Sequence, residues 1–162
     1  MIISKRFIGV DPGLNFTGWG ILDQQGSDNF VYVASGVIKT SKKSNYPERL
    51  SEIFKSIHDI VLQYNPNFAA IEDTYVNVNN QSSIKLAQAK AASMIAISNN
   101  KIDLVEYPAK TIKKTVTGNG NADKRHIVKM LKLLIPGVDI ELFDEADAVA
   151  IALCHAIINN KN

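Results

Sequence analysis

Four acidic residues stand where packing alone explains them poorly. Asp11 ends the apolar run Ile8-Gly9-Val10, and Glu72 ends Ala69-Ala70-Ile71. Asp144 and Asp147 lie three apart at the start of an otherwise apolar stretch, so a helix there projects both from one face. Each acid alone has a plain structural reading. Asp11 before Pro12-Gly13 suits a turn. Asp144 suits a helix N-cap, with Asp147 assisting at N3. Glu72 can pair with a lysine. Together they read differently, because burying an unpaired carboxylate is costly and three of the four abut buried segments. If they converge at one sheet edge, mutual repulsion raises their pKa values and destabilises the empty site. A hard divalent cation removes that penalty, and Mg2+ accepts carboxylate oxygens alongside water and substrate phosphate. Two such ions about 3.5–4 Å apart activate a water and stabilise the leaving oxygen of a phosphodiester.

The elements that must position these acids follow from hydrophobic periodicity. Residues 7–10, 17–22 and 30–38 read as three tightly connected, antiparallel strands. Leu50, Ile53, Phe54, Ile57, Ile60, Val61 and Tyr64 then follow helical spacing, with Pro47 in the first turn. Residues 68–71 make a short apolar strand, 81–98 an Ala- and Ser-rich helix, and 103–107 a fifth strand. Pro108 opens a short helix that Gly118-Asn119-Gly120 breaks. Helices over 123–135 and 144–158 follow, the last nearly all apolar and therefore buried. The order predicts an α/β fold: a mixed five-stranded sheet flanked by helices, with β–α–β crossovers forcing some parallel pairing. We expect a single domain over 1–158 and a short tail over 159–162.

The 162 residues suit one core, and 46% hydrophobic with 21% charged content is globular rather than disordered. A single cysteine, Cys154, excludes a disulfide-stapled scaffold. No apolar run approaches the roughly 20 residues that span a bilayer, and Lys5, Arg6 and Asp11 interrupt any signal-peptide pattern. A cytoplasmic location is the expectation. The net charge is only +2, but its distribution is uneven. Residues 101–135 carry eight Lys/Arg against three acids, and residues 136–162 carry five acids against Lys161. Such a basic segment beside an acidic one suits a metal-dependent enzyme acting on a polyanion, although two solvated faces would look the same. Cys154 reads as core, His58 and His126 as surface, and His155 has no assigned role; none of the histidines has metal-ligand spacing.

Several stretches resemble the RuvC family of bacterial Holliday junction resolvases. They are Gly9-Val-Asp-Pro-Gly-Leu-Asn-Phe-Thr-Gly18, Ala70-Ile-Glu72, Lys85-Leu-Ala-Gln-Ala-Lys90, Tyr107 through Gly120, and Asp144-Glu-Ala-Asp-Ala-Val-Ala150. Their order and spacing carry the likeness from Ile8 to about His155. The resemblance implies a ribonuclease-H-like fold, a homodimer, and paired symmetric nicking of four-way DNA junctions in recombination and repair. It implies Mg2+ as cofactor, two ions per subunit with Mn2+ as substitute, and the RuvA–RuvB branch-migration complex as partner. Asp11, Glu72, Asp144 and Asp147 match the family's acidic tetrad, and Lys113 and Lys124 match its basic residues near the scissile strand. Tyr75 stands where an aromatic, usually Phe, stacks on bases. Its ring keeps a stacking face.

Around these, Lys110, Lys113 and Lys114 are close enough in sequence to contact one phosphate stretch, and Lys124 and Arg125 add charge beyond the turn. Asn119-Gly120-Asn121 offers backbone N–H groups near a helix start as a phosphate seat. The small residues of 81–98 permit close helix packing, and by resemblance this helix also meets its two-fold mate. Three other readings compete. An actin-like ATPase or sugar kinase shares the Asp11-Pro12-Gly13 and Gly18 pattern but needs two such domains. A junction-binding protein without nuclease activity has no need of four acids. A related nuclease of the same fold could act on another branched or hybrid substrate.

Overall fold

The computed structural model describes residues 4–74 and 81–160. Its five strands are β1 (Ser4–Asp11), β2 (Phe16–Gln25), β3 (Phe30–Lys39), β4 (Phe68–Asp73) and β5 (Leu104–Pro108). Its helices are α1 (Tyr46–Tyr64), α2 (Gln81–Ser98), α3 (Ala109–Thr117), α4 (Lys124–Leu134) and α5 (Phe143–Asn159). The sheet order is β3-β2-β1-β4-β5. β1, β2 and β3 form an antiparallel meander, while β1–β4 and β4–β5 are parallel. The expected elements all appear. The differences lie at their ends: the first two strands run further than their apolar cores, and α5 takes in Asn159, a residue expected in the tail.

Strand alternation divides the molecule into two cores. Ile8 and Val10 of β1 and Ala69 and Ile71 of β4 face α1 and α2, packing with Ile53, Ile57, Val61 and Ile97. Phe7 and Ala70 face the other layer, formed by α3, α4 and α5. α5 lies centrally there, with α3 and α4 against it and β1 and β2 beneath. This placement explains why Ala146 and every residue from Ala148 to Ala156 are buried. Over 148–156 the helix has no wet face for polar residues to occupy.

α5 comes unusually close to the sheet. A Cβ on Gly9 would clash with the Ala148 carbonyl oxygen and approach the Ala152 nitrogen; one on Gly18 would strike the Asp144 carbonyl. These glycines are required for their missing side chain, not for an unusual backbone. Gly9→Ala must therefore push α5 off β1. Overpacking of this kind costs about 1–3 kcal/mol. Thermal unfolding of the Gly9→Ala protein should show a melting temperature lower by several degrees, roughly 2–4 °C per kcal/mol at this size. An unchanged melting temperature would contradict the close packing.

Candidate active site

Asp11 and Glu72 reach the site by the same route. In the parallel β1–β4 pair Val10 aligns with Ile71, so each acid is the next residue on its strand. Asp11 follows Phe7 and Gly9 on the α5 face, and Glu72 follows Phe68 and Ala70 on that face. Gly18, the register partner of Asp11, backs the Asp144 carbonyl, so the first turn of α5 descends beside Asp11. The outcome is a cluster: carboxylate oxygens of half-buried Asp11, Asp144 and Asp147 all lie within 4.8 Å of one another. Glu72 stands outside that tightest group but is near enough to act electrostatically on Asp11 and to feel Asp147.

The structural readings of Asp11 and Asp144 do not hold. The loop after β1 is closed by Thr17, whose hydroxyl donates to the Gly13 carbonyl at 2.7 Å. Asp11 is not its turn residue. Leu142, not Asp144, is the N-cap of α5, and Glu145 accepts the backbone N–H groups of Glu141 and Leu142 at 3.1 Å each. Asp144 and Asp147 are thereby left to face Asp11.

The electrostatics follow from burial and crowding. Burial, then repulsion from Asp147, Glu72 and Asp144, pushes the Asp11 carboxyl up to about 7. Glu72 is also raised, by burial first and then by Asp147. Positive charge opposes this. The Lys124 ammonium sits 3.1 Å from the Asp147 carboxylate, and that hydrogen bond is the main reason its own pKa rises. Lys113 partly offsets Glu72. Three hard oxygen donors within one ion's reach, carrying more negative charge than their lysine relieves, fit a divalent cation.

The remaining expected contacts are spread around this cluster. Lys110, Lys114, Asn119 and Arg125 are exposed on α3, α4 and the turn between them. The phosphate seat at 119–121 is smaller than expected. The Asn119 N–H donates to the Thr117 hydroxyl at 3.1 Å and the Asn121 N–H to the Asn119 side chain at 2.9 Å, so two of its three donors hold the turn together. Asp123 caps α4 by accepting from the His126 N–H at 2.8 Å. Tyr75 lies outside the described residues. His155 is core: its Nδ1 and the Tyr107 hydroxyl are 2.9 Å apart, with Phe7 and Phe68 against its ring, and burial lowers its pKa.

Lys90 was visible only as part of a resembling stretch. It is the one charged residue in the buried stripe of α2, and its ammonium bonds Asp73 at 3.3 Å and Glu106. Both acids project from the opposite face of the β4 and β5 ends that carry Glu72 and Tyr107. A lysine at a helical core position is the sequence signal that would have found it.

A family model for crossover junction endodeoxyribonuclease RuvC matches residues 7–155, a span that includes all four acids and the basic segment. The chain belongs to the RuvC family. The RuvC of Rickettsia bellii (strain RML369-C) is 46% identical over 154 residues, covering 94% of this chain and 98% of that protein. The RuvC of Gluconobacter oxydans (strain 621H) is 42% identical over 151 residues, covering 93% and 89%. Among solved structures, T. thermophilus RuvC in complex with Holliday junction substrate superposes with a TM-score of 0.89 at 24% identity, over 97% of this chain and 96% of that one. The yeast mitochondrial Holliday junction resolvase superposes at 0.67 and 12% identity, over 97% and 82%. The fold is the ribonuclease-H-like α/β fold that the resemblance to RuvC implied. Among the described residues, no helix is long and apolar enough to cross a membrane.

The raised Asp11 pKa has a thermodynamic consequence. Between about pH 4, where an ordinary Asp ionises, and about pH 7 the folded chain holds a proton that the unfolded chain releases. Its contribution to metal-free stability is fully present below that window and lost as pH rises through it. Metal-free wild type should therefore melt lower at pH 8 than at pH 5, and Asp11→Asn should flatten that difference. Millimolar Mg2+ should raise the wild-type melting temperature at pH 8. Identical pH profiles for the two proteins would remove Asp11 from a crowded cluster.

Proposed function

We propose that this chain is a metal-dependent endodeoxyribonuclease that resolves four-way DNA junctions by paired symmetric nicks. The convergence of Asp11, Asp144 and Asp147, with Glu72 beside them, at the sheet edge of a RuvC-family chain carries the reading. These four acids would hold Mg2+, two ions per subunit with Mn2+ able to substitute. Bound there, the metal would supply a water acidified for attack on the phosphodiester and positive charge for the leaving oxygen.

The chain's own groups do the rest. Lys124, tethered to Asp147, keeps an ammonium at the rim of the acids, where added negative charge on a phosphate needs stabilising. Lys113 plays the same part on the Glu72 side. Exposed Lys110, Lys114 and Arg125 suit the phosphates flanking the cut. Half-burial of the acids limits competing water and strengthens each of these interactions. Two opposed nicks call for two sites related by a two-fold axis. α2, which exposes Ile84 and Ile95, supports a homodimer built on that helix. The RuvA–RuvB branch-migration complex is the proposed partner, and the cytoplasm the proposed location.

A synthetic four-way junction with each strand labelled in turn tests this directly. Wild type with Mg2+ should nick two opposed strands at symmetric positions, and chelator should stop it. Asp11→Asn should cut at least about 100-fold more slowly, the scale of removing one preorganised electrostatic group, while binding the junction within a few-fold of wild type. Lys124→Ala should slow cutting about tenfold or more. Binding without cutting by wild type, or normal cutting by Asp11→Asn, would overturn the proposal.

A further inference from the structure

The basic segment at 101–135 lies on the α3–α4 side of the acids. A second basic surface lies on their β2–β3 side. Phe16, the first residue of β2, is 46% exposed and pairs in register with Lys39, the last residue of β3. Phe16 has the strand parity of Gly18 and Gly20, so it belongs to the α5 face that also carries Asp11. It stands two residues, about 7 Å of strand, beyond Gly18, the register partner of Asp11. The Lys39 ammonium is 5.8 Å from the centroid of the Phe16 ring. Phe16, Lys39, Lys42 and Lys43 line a concavity of about 730 Å³ with Thr40, Ser41 and Glu52.

The charge of this concavity is available to a ligand. Among the described residues none of the three ammonium groups has a carboxylate partner within ion-pair distance. The one acid in the lining, Glu52, is occupied: it accepts the Ser41 N–H at 3.0 Å and the Ser44 hydroxyl at 2.8 Å. The concavity is also fixed to the acids. The Thr40 hydroxyl donates to the Leu14 carbonyl at 2.6 Å, and Arg49 donates to Thr40 at 2.9 Å and to the Asn15 side chain at 2.6 Å. Those bonds tie the β3–α1 turn to the loop that follows Asp11.

An exposed aromatic ring beside unpaired ammonium groups is the combination that holds a nucleic-acid strand, the ring stacking on a base and the cations meeting phosphates. We infer that Phe16, Lys39, Lys42 and Lys43 form a second DNA-strand subsite, which seats nucleotides flanking the cut on the side opposite α3 and α4. The inference rests on the nuclease reading above and specifies where the strand lies once it has passed the acids. None of the four residues belongs to the acid cluster, so their role is binding.

The test is the salt dependence of four-way-junction affinity, with a catalytically silent Asp11→Asn background to prevent cutting. Replacing Lys39, Lys42 and Lys43 together by Ala should weaken binding at least tenfold near physiological salt. It should also lower the slope of log affinity against log salt by about 1 or more, since each phosphate contact contributes about 0.9. The same three positions changed to Arg should restore the slope. Phe16→Ala should weaken binding at least about fivefold, the lower end of a lost base stack, without changing the slope. Equal affinity and slope for the triple Ala protein and its background would overturn the subsite while leaving the nuclease reading intact. A background protein that binds no junction would overturn both.

Discussion

Asp11, Asp144 and Asp147 repel one another, and the packing of α5 against β1 and β2 holds them together against that repulsion. The parts of the fold that look incidental to chemistry serve this constraint. Gly9 and Gly18 lack side chains where α5 needs to touch the sheet. The unbroken apolar sequence from Ala148 to Ala156 provides enough buried surface to keep the helix there. Glu145 accepts the N–H groups of Glu141 and Leu142 at the entry to α5, so Asp144 is not spent on capping and lies with Asp147 against Asp11. Burial then makes the cluster costlier still, which shows in the Asp11 carboxyl standing near 7. A site of this kind is unstable by construction and is relieved by positive charge.

Two kinds of positive charge surround it. Lys124 is in contact with Asp147, and Lys113 acts on Glu72 from α3. Lys90 works from the other face of the sheet, where it joins α2 to the ends of β4 and β5 through Asp73 and Glu106. The strand end that carries Glu72 is thus braced from behind by an ion cluster whose Lys90 also offsets part of the Glu72 charge. The half-exposure of both acids keeps this brace from being a fully buried charge network.

What the sequence made legible was local. Acids that end apolar runs are conspicuous, so Asp11 and Glu72 could be picked out, and helical spacing brought out Asp144 with Asp147. Hydrophobic periodicity placed every element to within a few residues. Contacts between distant segments were not legible. Nothing in the letters near Gly18 says that the Asp144 carbonyl will rest on it, and Phe16 and Lys39 become neighbours only through strand register. Asn119 shows the converse. Its neighbours suggested free backbone donors, but Thr117 and Asn119 itself take up two of them, because a tight turn must satisfy its own polar groups.

The proposed metal would sit in one pocket formed by these side chains. Crystals soaked in Mn2+, with diffraction collected at the manganese absorption edge, address it without reference to activity. An anomalous peak is expected between the carboxylates of Asp11, Asp144 and Asp147, with Glu72 facing it. Manganese bound elsewhere, or three well-ordered carboxylates with no metal between them, would contradict it.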